Sequence, residues 1–242
     1  MKTALLIARR ELFGYLTSMT GWLILALVLL ADGLLFNAFA LGGSEKKSFD
    51  VLQGFFYLSS GTTMVSSIFI SMRLFAEERQ QGTMVLLETA PIPEHVVVVG
   101  KFLGAWTFFL LTLLLSVHLP LLVMVNGTVT AGHIVAGYVG LALLGAACIA
   151  IGALASSVAK NQILAAVISG ATIVALVLAY ILAKKIDGPV GNVIGFLDLF
   201  DTHYRVFSRG TIKLASVAYY CALTWGALLV TTAVLTARRW RA

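Results

Sequence analysis

The chain has 242 residues, of which 60% are hydrophobic and 12% charged, with a net charge of +6 and a mean hydropathy of +0.96. A soluble domain averages roughly 45–50% apolar and about 25% charged residues, so the composition excludes a soluble enzyme and points to a chain embedded in a membrane. The basic residues are scattered at the ends of apolar runs and build no continuous face, which sets aside nucleic acid as a partner.

Residues 1–19 place Leu5, Leu6, Ala8, Leu12, Phe13 and Leu16 at rough helical spacing, with Arg9 and Arg10 among them. This pattern predicts an amphipathic helix lying in the inner membrane interface. Lys2, Arg9, Arg10 and Glu11 precede an apolar run too long for a signal-peptide core and without a small-residue cleavage site, so no cleavable leader is expected. Six apolar runs come next, over residues 20–41, 55–75, 102–125, 133–158, 161–183 and 214–237. Each reaches the ~18 residues that let a helix cross a ~30 Å hydrocarbon core. The predicted fold is an all-α membrane protein, with six transmembrane helices in one domain over residues 1–242 and no internal repeat.

Asp32 falls near the middle of the first run, where a lone carboxylate is costly and marks a functional position. A pathway or gating role is one reading. The others are a protonated side chain, a partner on a neighbouring helix, or a position nearer the outer surface. The loop at 42–54 is short and polar.

The stretch 73–101 is charged and punctuated by Gly, Thr and Pro between two apolar runs. Glu77, Glu78 and Arg79 end the second run. Gly82 permits a sharp turn, and Thr83 is placed to cap the first N–H groups of a short helix. Met84, Val85, Leu86 and Leu87 are apolar where no lipid is expected. They pack either on the chain's own helix ends or in the groove of a soluble partner. Pro91 and Pro93 stop that helix and set the first turn of the next, and apolar sequence resumes after Lys101.

Further along, His118 beside Pro120 predicts a kink whose freed carbonyl is satisfied locally. Ala142, Ala146 and Ala150, with Gly145, Gly152 and Ser156, form small-residue rows that suit close packing of the fourth helix. Residues 184–213 are broken by Gly188, Pro189, Gly191 and Gly195 ahead of an aromatic, acidic patch, and short helices dipping back toward the bilayer (a reentrant outer segment) are expected there. Asp198, Asp201 and His203 stand at i, i+3 and i+5, which do not share one helix face, so no metal is assigned. Cys148 and Cys221 fall inside spans and read as small packing residues.

Six spans put both termini on one side. With the termini inside, the inner segments carry ten Lys and Arg and the outer segments seven, five of them in or beside the long loop before the last span. The positive-inside rule is weaker in such a loop. Both termini and the 73–101 loop are therefore expected in the cytoplasm, and the chain in the cell inner membrane.

The string Glu77-Glu78-Arg79, then Gly82-Thr83, Leu86-Leu87, Pro91-Ile92 and, after the valine run at 96–99, Gly100-Lys101 resembles the loop of ABC type-2 transporter permeases. The stretches 8–12, 196–212 and 237–240 are similar to the branch of the gliding-motility permease GldF and the nitrous-oxide-reductase maturation permease NosY. Lys213 stands where that branch would carry an acidic residue. The resemblance covers essentially the whole chain. It implies two six-helix permease subunits, most simply a homodimer, each docked to a cytoplasmic ATPase through a coupling helix at 82–88. The N-terminal helix is implied as a second contact. Glu77, Glu78, Arg79, Gly82, Thr83, Leu86, Leu87 and Pro91 are the coupling positions carried over.

The residues agree with that division of labour. The chain has no G-x-x-x-x-G-K-[ST], and its Gly100-Lys101 pair is followed by Phe102 without a Gly-rich loop. ATP and Mg²⁺ are thus expected on the partner, and no catalytic residue, cofactor or metal on this chain. The expected function is export or extraction of a substrate, driven in trans. The alternative is transmission of force to an outer or periplasmic partner protein, with little transport. A membrane-embedded enzyme built on Asp32, Asp198 and Asp201 lacks a convergent nucleophile, base and orienting group.

Overall fold

In the computed structural model, residues 2–41, 47–84, 92–126, 129–185 and 188–239 are described. Helix α1 (Lys2–Thr17) leads into α2 (Met19–Leu35), which ends in a π-helical segment, Phe36–Leu41. Then come α3 (Ser48–Ser71), the short α4 (Ala76–Gln80), α5 (Glu94–Ser116) and α6 (His118–Asn126). The chain continues through α7 (Ala131–Val158), α8 (Gln162–Ala183), α9 (Pro189–Phe196), α10 (Tyr204–Ser208) and α11 (Leu214–Arg239). Among the described residues, six stretches are long and apolar enough to cross a membrane: Met19–Ala38, Ser48–Gln80, Glu94–Val125, Ala131–Val158, Gln162–Ala183 and Leu214–Arg239. This is an all-α membrane protein with six spanning stretches, and its described residues hold no strand.

Helix α7 is the centre of the bundle, packed against α3, α5, α8 and α11. Its small residues are the reason. A Cβ on Gly145 would stand 2.1 Å from the Phe109 ring, and one on Gly152 would stand 1.8 Å from Ser71 Oγ. Ala146 and Ala150 are buried, and the Ala142 carbonyl accepts the Trp106 indole N–H at 3.2 Å. Lipid tails are as apolar as the helices, so close van der Waals approach, and not exclusion of water, holds such helices together. The small-residue rows serve the packing role expected of them. By contrast Leu23, Leu27 and Leu30 of α2, Val167 and Ile181 of α8 and Leu229 of α11 face outward, as a hydrocarbon solvent requires.

The third span departs from its predicted start. Helix α5 begins at Glu94, directly after Pro93, so Lys101 lies two turns inside it and is 3% exposed. At the other end the helix breaks at Val117. Pro120 has no N–H for the Ser116 carbonyl. The His118 ring N–H (Nδ1) donates to Leu115 O at 2.7 Å, and Leu121 N–H to Val117 O at 3.2 Å. The helix thus breaks where His118 and Pro120 predicted an interruption.

Between α8 and α11 the two short helices fold back on the bundle, α9 against α8 and α10 against α7 and α3. Tyrosine hydroxyls fasten the segment to main-chain carbonyls: Tyr204 to Phe56 O at 2.9 Å, Tyr219 to Leu197 O at 2.8 Å and Tyr220 to Leu199 O at 2.7 Å.

Candidate coupling site

The end of α3 meets the end of α7. Residues 72–75 leave the α-helical path before α4 restarts at Ala76. A restarted helix exposes new N–H groups that need acceptors, and Phe75 at the N-cap position supplies none. Ser156 of α7 supplies one from outside. Its Oγ accepts Phe75 N–H at 3.0 Å and Ala76 N–H at 2.9 Å and donates to Met72 O at 3.0 Å.

Helix α4 closes on Gly82, whose φ of 72° lies in the left-handed region. Gly82 N–H donates to Arg79 O at 3.2 Å and Thr83 N–H to Glu78 O at 2.9 Å, the paired bonds of a Schellman stop. The Thr83 hydroxyl donates back to Glu78 O at 3.2 Å, because the Gly82 turn brings it over the preceding helix end; the N–H groups it was expected to cap lie outside the described residues. Met84 is buried in the main core.

One turn from the break, Lys101 ties three helices. Its Nζ lies 2.6 Å from Glu11 Oε1 of α1 and 2.9 Å from Glu78 Oε1 of α4, with the Phe75 ring 5.6 Å away. The Lys101 side chain is 4% exposed, against 22% and 23% for the two glutamates. An ammonium so buried requires close opposite charge, since removal from water costs several kcal/mol per ion. Helix α1 can reach it because α5 is bare at two positions. A Cβ on Gly100 would meet Ile7 Cβ at 2.8 Å and Ala4 O at 2.9 Å; one on Gly104 would meet Glu11 Cβ at 2.6 Å and Ala8 O at 2.7 Å.

Arginines finish the border. Arg73 grips Glu77 with two bonds, Nε to Oε2 at 2.8 Å and Nη2 to Oε1 at 3.2 Å, and also donates to the Thr20 hydroxyl. Arg79 Nη2 donates to Ser157 O at 2.8 Å and Nη1 to Ala159 O, so a cation sits on the terminal carbonyls of α7, where the helix dipole favours it. Arg238 of α11 adds a bond to Val158 O at 3.2 Å, and Arg239 pairs with Glu94 at 2.7 Å. Below them the Tyr15 hydroxyl donates to Ile70 O at 2.7 Å, and burial, followed by the Glu11 charge, holds its pKa far above the ordinary tyrosine value.

Glu77, Glu78, Arg79, Gly82 and Thr83 thus gather at one end of the bundle. Leu86, Leu87 and Pro91, with Val85 and Glu88, lie outside the described residues. Glu11 and Ser156 are members of this site that sequence reasoning had placed elsewhere, Glu11 as a leading charge and Ser156 as a packing residue. The Glu of 8–12 and the small row of α7 were their only sequence signals.

The other singled-out residues stand apart. Asp32 is 4% exposed and accepts the hydroxyls of Thr62 at 2.7 Å and Ser59 at 3.3 Å, so a neighbouring helix does partner it. Asp198 caps a turn through Phe200 N–H at 3.2 Å and Thr202 N–H at 2.6 Å. Asp201 pairs with Arg205 at 3.1 Å, and His203 stacks on Tyr219 with centroids 3.9 Å apart. Burial lowers the His203 pKa, which keeps the ring neutral.

The hydrophilic clasp joins helix ends at one face of a six-span bundle. Residues 35–237 match the family model of the ABC-2 family transporter proteins. The chain belongs to the ABC-2 transporter family. No curated protein matches it significantly. It is therefore a permease subunit of an ABC transporter, a multi-pass membrane component of a family that works with a separate cytoplasmic ABC ATPase. The ABC-2 match begins near the end of α2, so Glu11 and all of α1 precede it.

Proposed function

We propose that this ABC-2 permease converts ATP-driven motion of a cytoplasmic ATPase into export or extraction of a membrane-accessible substrate. The observation that carries the reading is the Lys101 clasp. It joins α1, α4 and α5 at the border where the chain leaves α4 through Gly82, while Ser156 and Arg79 join the same border to α7. A push delivered at residues 82–88 meets a rigid joint and passes into the centre of the bundle. Glu77, Glu78, Arg79, Gly82, Thr83, Leu86, Leu87 and Pro91 form the coupling region in this proposal. The whole chain, residues 1–242, acts as one permease domain in the cell inner membrane, with both termini and the coupling region cytoplasmic. Two copies pair as a homodimer, each with its ATPase, and ATP-Mg²⁺ is bound by that partner alone.

Exposed surface ion pairs contribute only ~0–1 kcal/mol each, so docking rests on apolar contact through Leu86 and Leu87. Replacing both by Asp should abolish co-purification of the ATPase while the permease still inserts. Equal yield of ATPase with this variant would overturn the assignment.

A second reading, transmission of force to an outer partner within the GldF and NosY branch, draws support from the opposite end. Three tyrosine hydroxyls fix the α9–α10 segment to the bundle, yet Val193, Phe196 and Leu197 remain exposed on it. In either reading Asp32 is a gating residue, coupling α2 to α3 through Ser59 and Thr62.

A further inference from the structure

Lys101 and Asp32 are buried alike, at 3% and 4% exposure, but their surroundings differ. Lys101 holds two carboxylates. Among the described residues no cation pairs with Asp32. Its carboxyl meets two neutral hydroxyls of α3, both at Oδ1: Thr62 Oγ1 at 2.7 Å and Ser59 Oγ at 3.3 Å. Oδ2 has no hydrogen bond among those residues. Asp32 lies about 20 Å along α2 from Met19 at ~1.5 Å per residue, well inside a ~30 Å hydrocarbon core. A charge at that depth without a counter-charge is costly, and a carboxyl escapes the cost by taking up a proton.

The hydroxyl geometry fits the neutral acid. Thr62 Oγ1 stands 2.7 Å from Asp32 Oδ1 and 3.0 Å from Ser59 O, yet it carries one proton. Against a carboxylate, that proton serves one of the two contacts. With a proton on Oδ1, Asp32 donates to Thr62 and Thr62 donates on to Ser59 O, so both contacts are hydrogen bonds. No base stands by to take the proton. Of the helices packed on α2, α1 and α5 keep Glu11 and Lys101 in the clasp, and α3 faces Asp32 with hydroxyls. From α7 and α10, Tyr138 and Tyr204 are near enough to feel a charge on Asp32, but both are phenols already bonded, to Ser116 Oγ at 3.0 Å and to Phe56 O at 2.9 Å.

Just beyond Asp32 the helix changes pitch. Phe36 N–H is shared between Asp32 O and Gly33 O, and Phe36–Leu41 is π-helical, a rare form that is frequent at functional sites. We propose that Asp32 is a proton-binding site: the protonated carboxyl latches α2 to α3, and loss of the proton to water releases α2 at this π-helical hinge. Thr62 also lines an apolar groove of about 740 Å³ between α2 and α3, so release opens that groove. The consequence rests on the gating role given to Asp32 above, whereas the proton rests on the geometry alone.

Infrared difference spectroscopy of the full chain in nanodiscs reads the proton directly. It needs neither ATPase nor substrate, so failure of the export reading leaves its result standing. At neutral pH, where an exposed aspartate is ionised, the chain should show a carboxylic-acid C=O band that disappears in Asp32→Asn. Thr62→Val, which keeps Asp32, should shift the band, a readout that survives if Asp32→Asn fails to insert. A carboxyl that holds its proton more tightly folded than unfolded loses stability as pH rises through its folded value. The Tm of the unmutated chain should therefore fall toward alkaline pH relative to that of Asp32→Asn, and the gap between them should widen. An acid band that Asp32→Asn leaves intact, or a Tm gap that does not change with pH, would overturn the proposal. So would sodium chloride that restores the unmutated Tm at alkaline pH where choline chloride does not, with no acid band at neutral pH, since the site would then hold a metal cation.

Discussion

Ser156 Oγ stands 2.9 Å from the backbone nitrogen of Ala76, a residue 80 positions earlier, and accepts its N–H. A side chain of the central helix thus starts α4, which has no N-cap of its own. The break at 72–75 is tolerated because α7 completes its hydrogen bonding.

Ser156→Ala removes the acceptor of two N–H groups and the donor to Met72 O. A buried polar group left without a partner costs about 1–3 kcal/mol. Thermal unfolding in detergent should show a destabilisation of that order, together with weaker coupling of ATPase activity to transport. An unchanged Tm would mean that α4 is started by other contacts.

Removing Lys101 should be worse than removing the whole clasp. Lys101→Met leaves Glu11 and Glu78 facing each other without their shared cation, and breaking a buried pair costs about 3–5 kcal/mol. The glutamates are about a fifth exposed, so the lower end of that range applies. Adding Glu11→Gln and Glu78→Gln to Lys101→Met should recover much of the loss, because contacting residues do not contribute additively. Unfolding of the single and triple variants measures this. A triple variant at least as unstable as the sum of its parts would contradict the clasp.

The seat of α1 on α5 can be tested by size alone. Gly104→Val places atoms where Ala8 and Glu11 now lie, so α1 must lift away. A cysteine at Ala8, now buried, should then label much faster, while Gly33→Val should leave its rate unchanged, since a Cβ there meets nothing within 4 Å. Equal labelling in both variants would place α1 elsewhere.

Orientation can be read by membrane-impermeant thiol labelling of whole cells, with the exposed Cys221 replaced by Ala. Ser208 would be a natural outer probe from sequence, but it is buried; Arg209→Cys is exposed and suited. Arg209→Cys should react from outside and Thr83→Cys only after permeabilisation. The reverse pattern would invert the topology and remove the basis for cytoplasmic ATPase docking.

The sequence by itself determined the class, the number of spans, the helix break at His118–Pro120, the packing role of the α7 small residues and the charged border after the second span. These come from composition and from periodicities within a few residues, which one helix turn or one hydrocarbon thickness can impose. The tertiary structure decided the rest. Lys101 looked like the border of the third span because an isolated ammonium belongs in water. It is buried because Glu11 and Glu78, 90 and 23 positions away, converge on it across helices that meet at Gly100 and Gly104. Thr83 also donates its hydroxyl back to Glu78 O of α4, because the left-handed Gly82 brings it there. Ser156 looked like packing, and its hydroxyl became a cap only because Gly152, one turn earlier, lets α3 approach. Long-range pairing of charges and hydroxyls depends on which helices touch, and no local pattern in the chain records that.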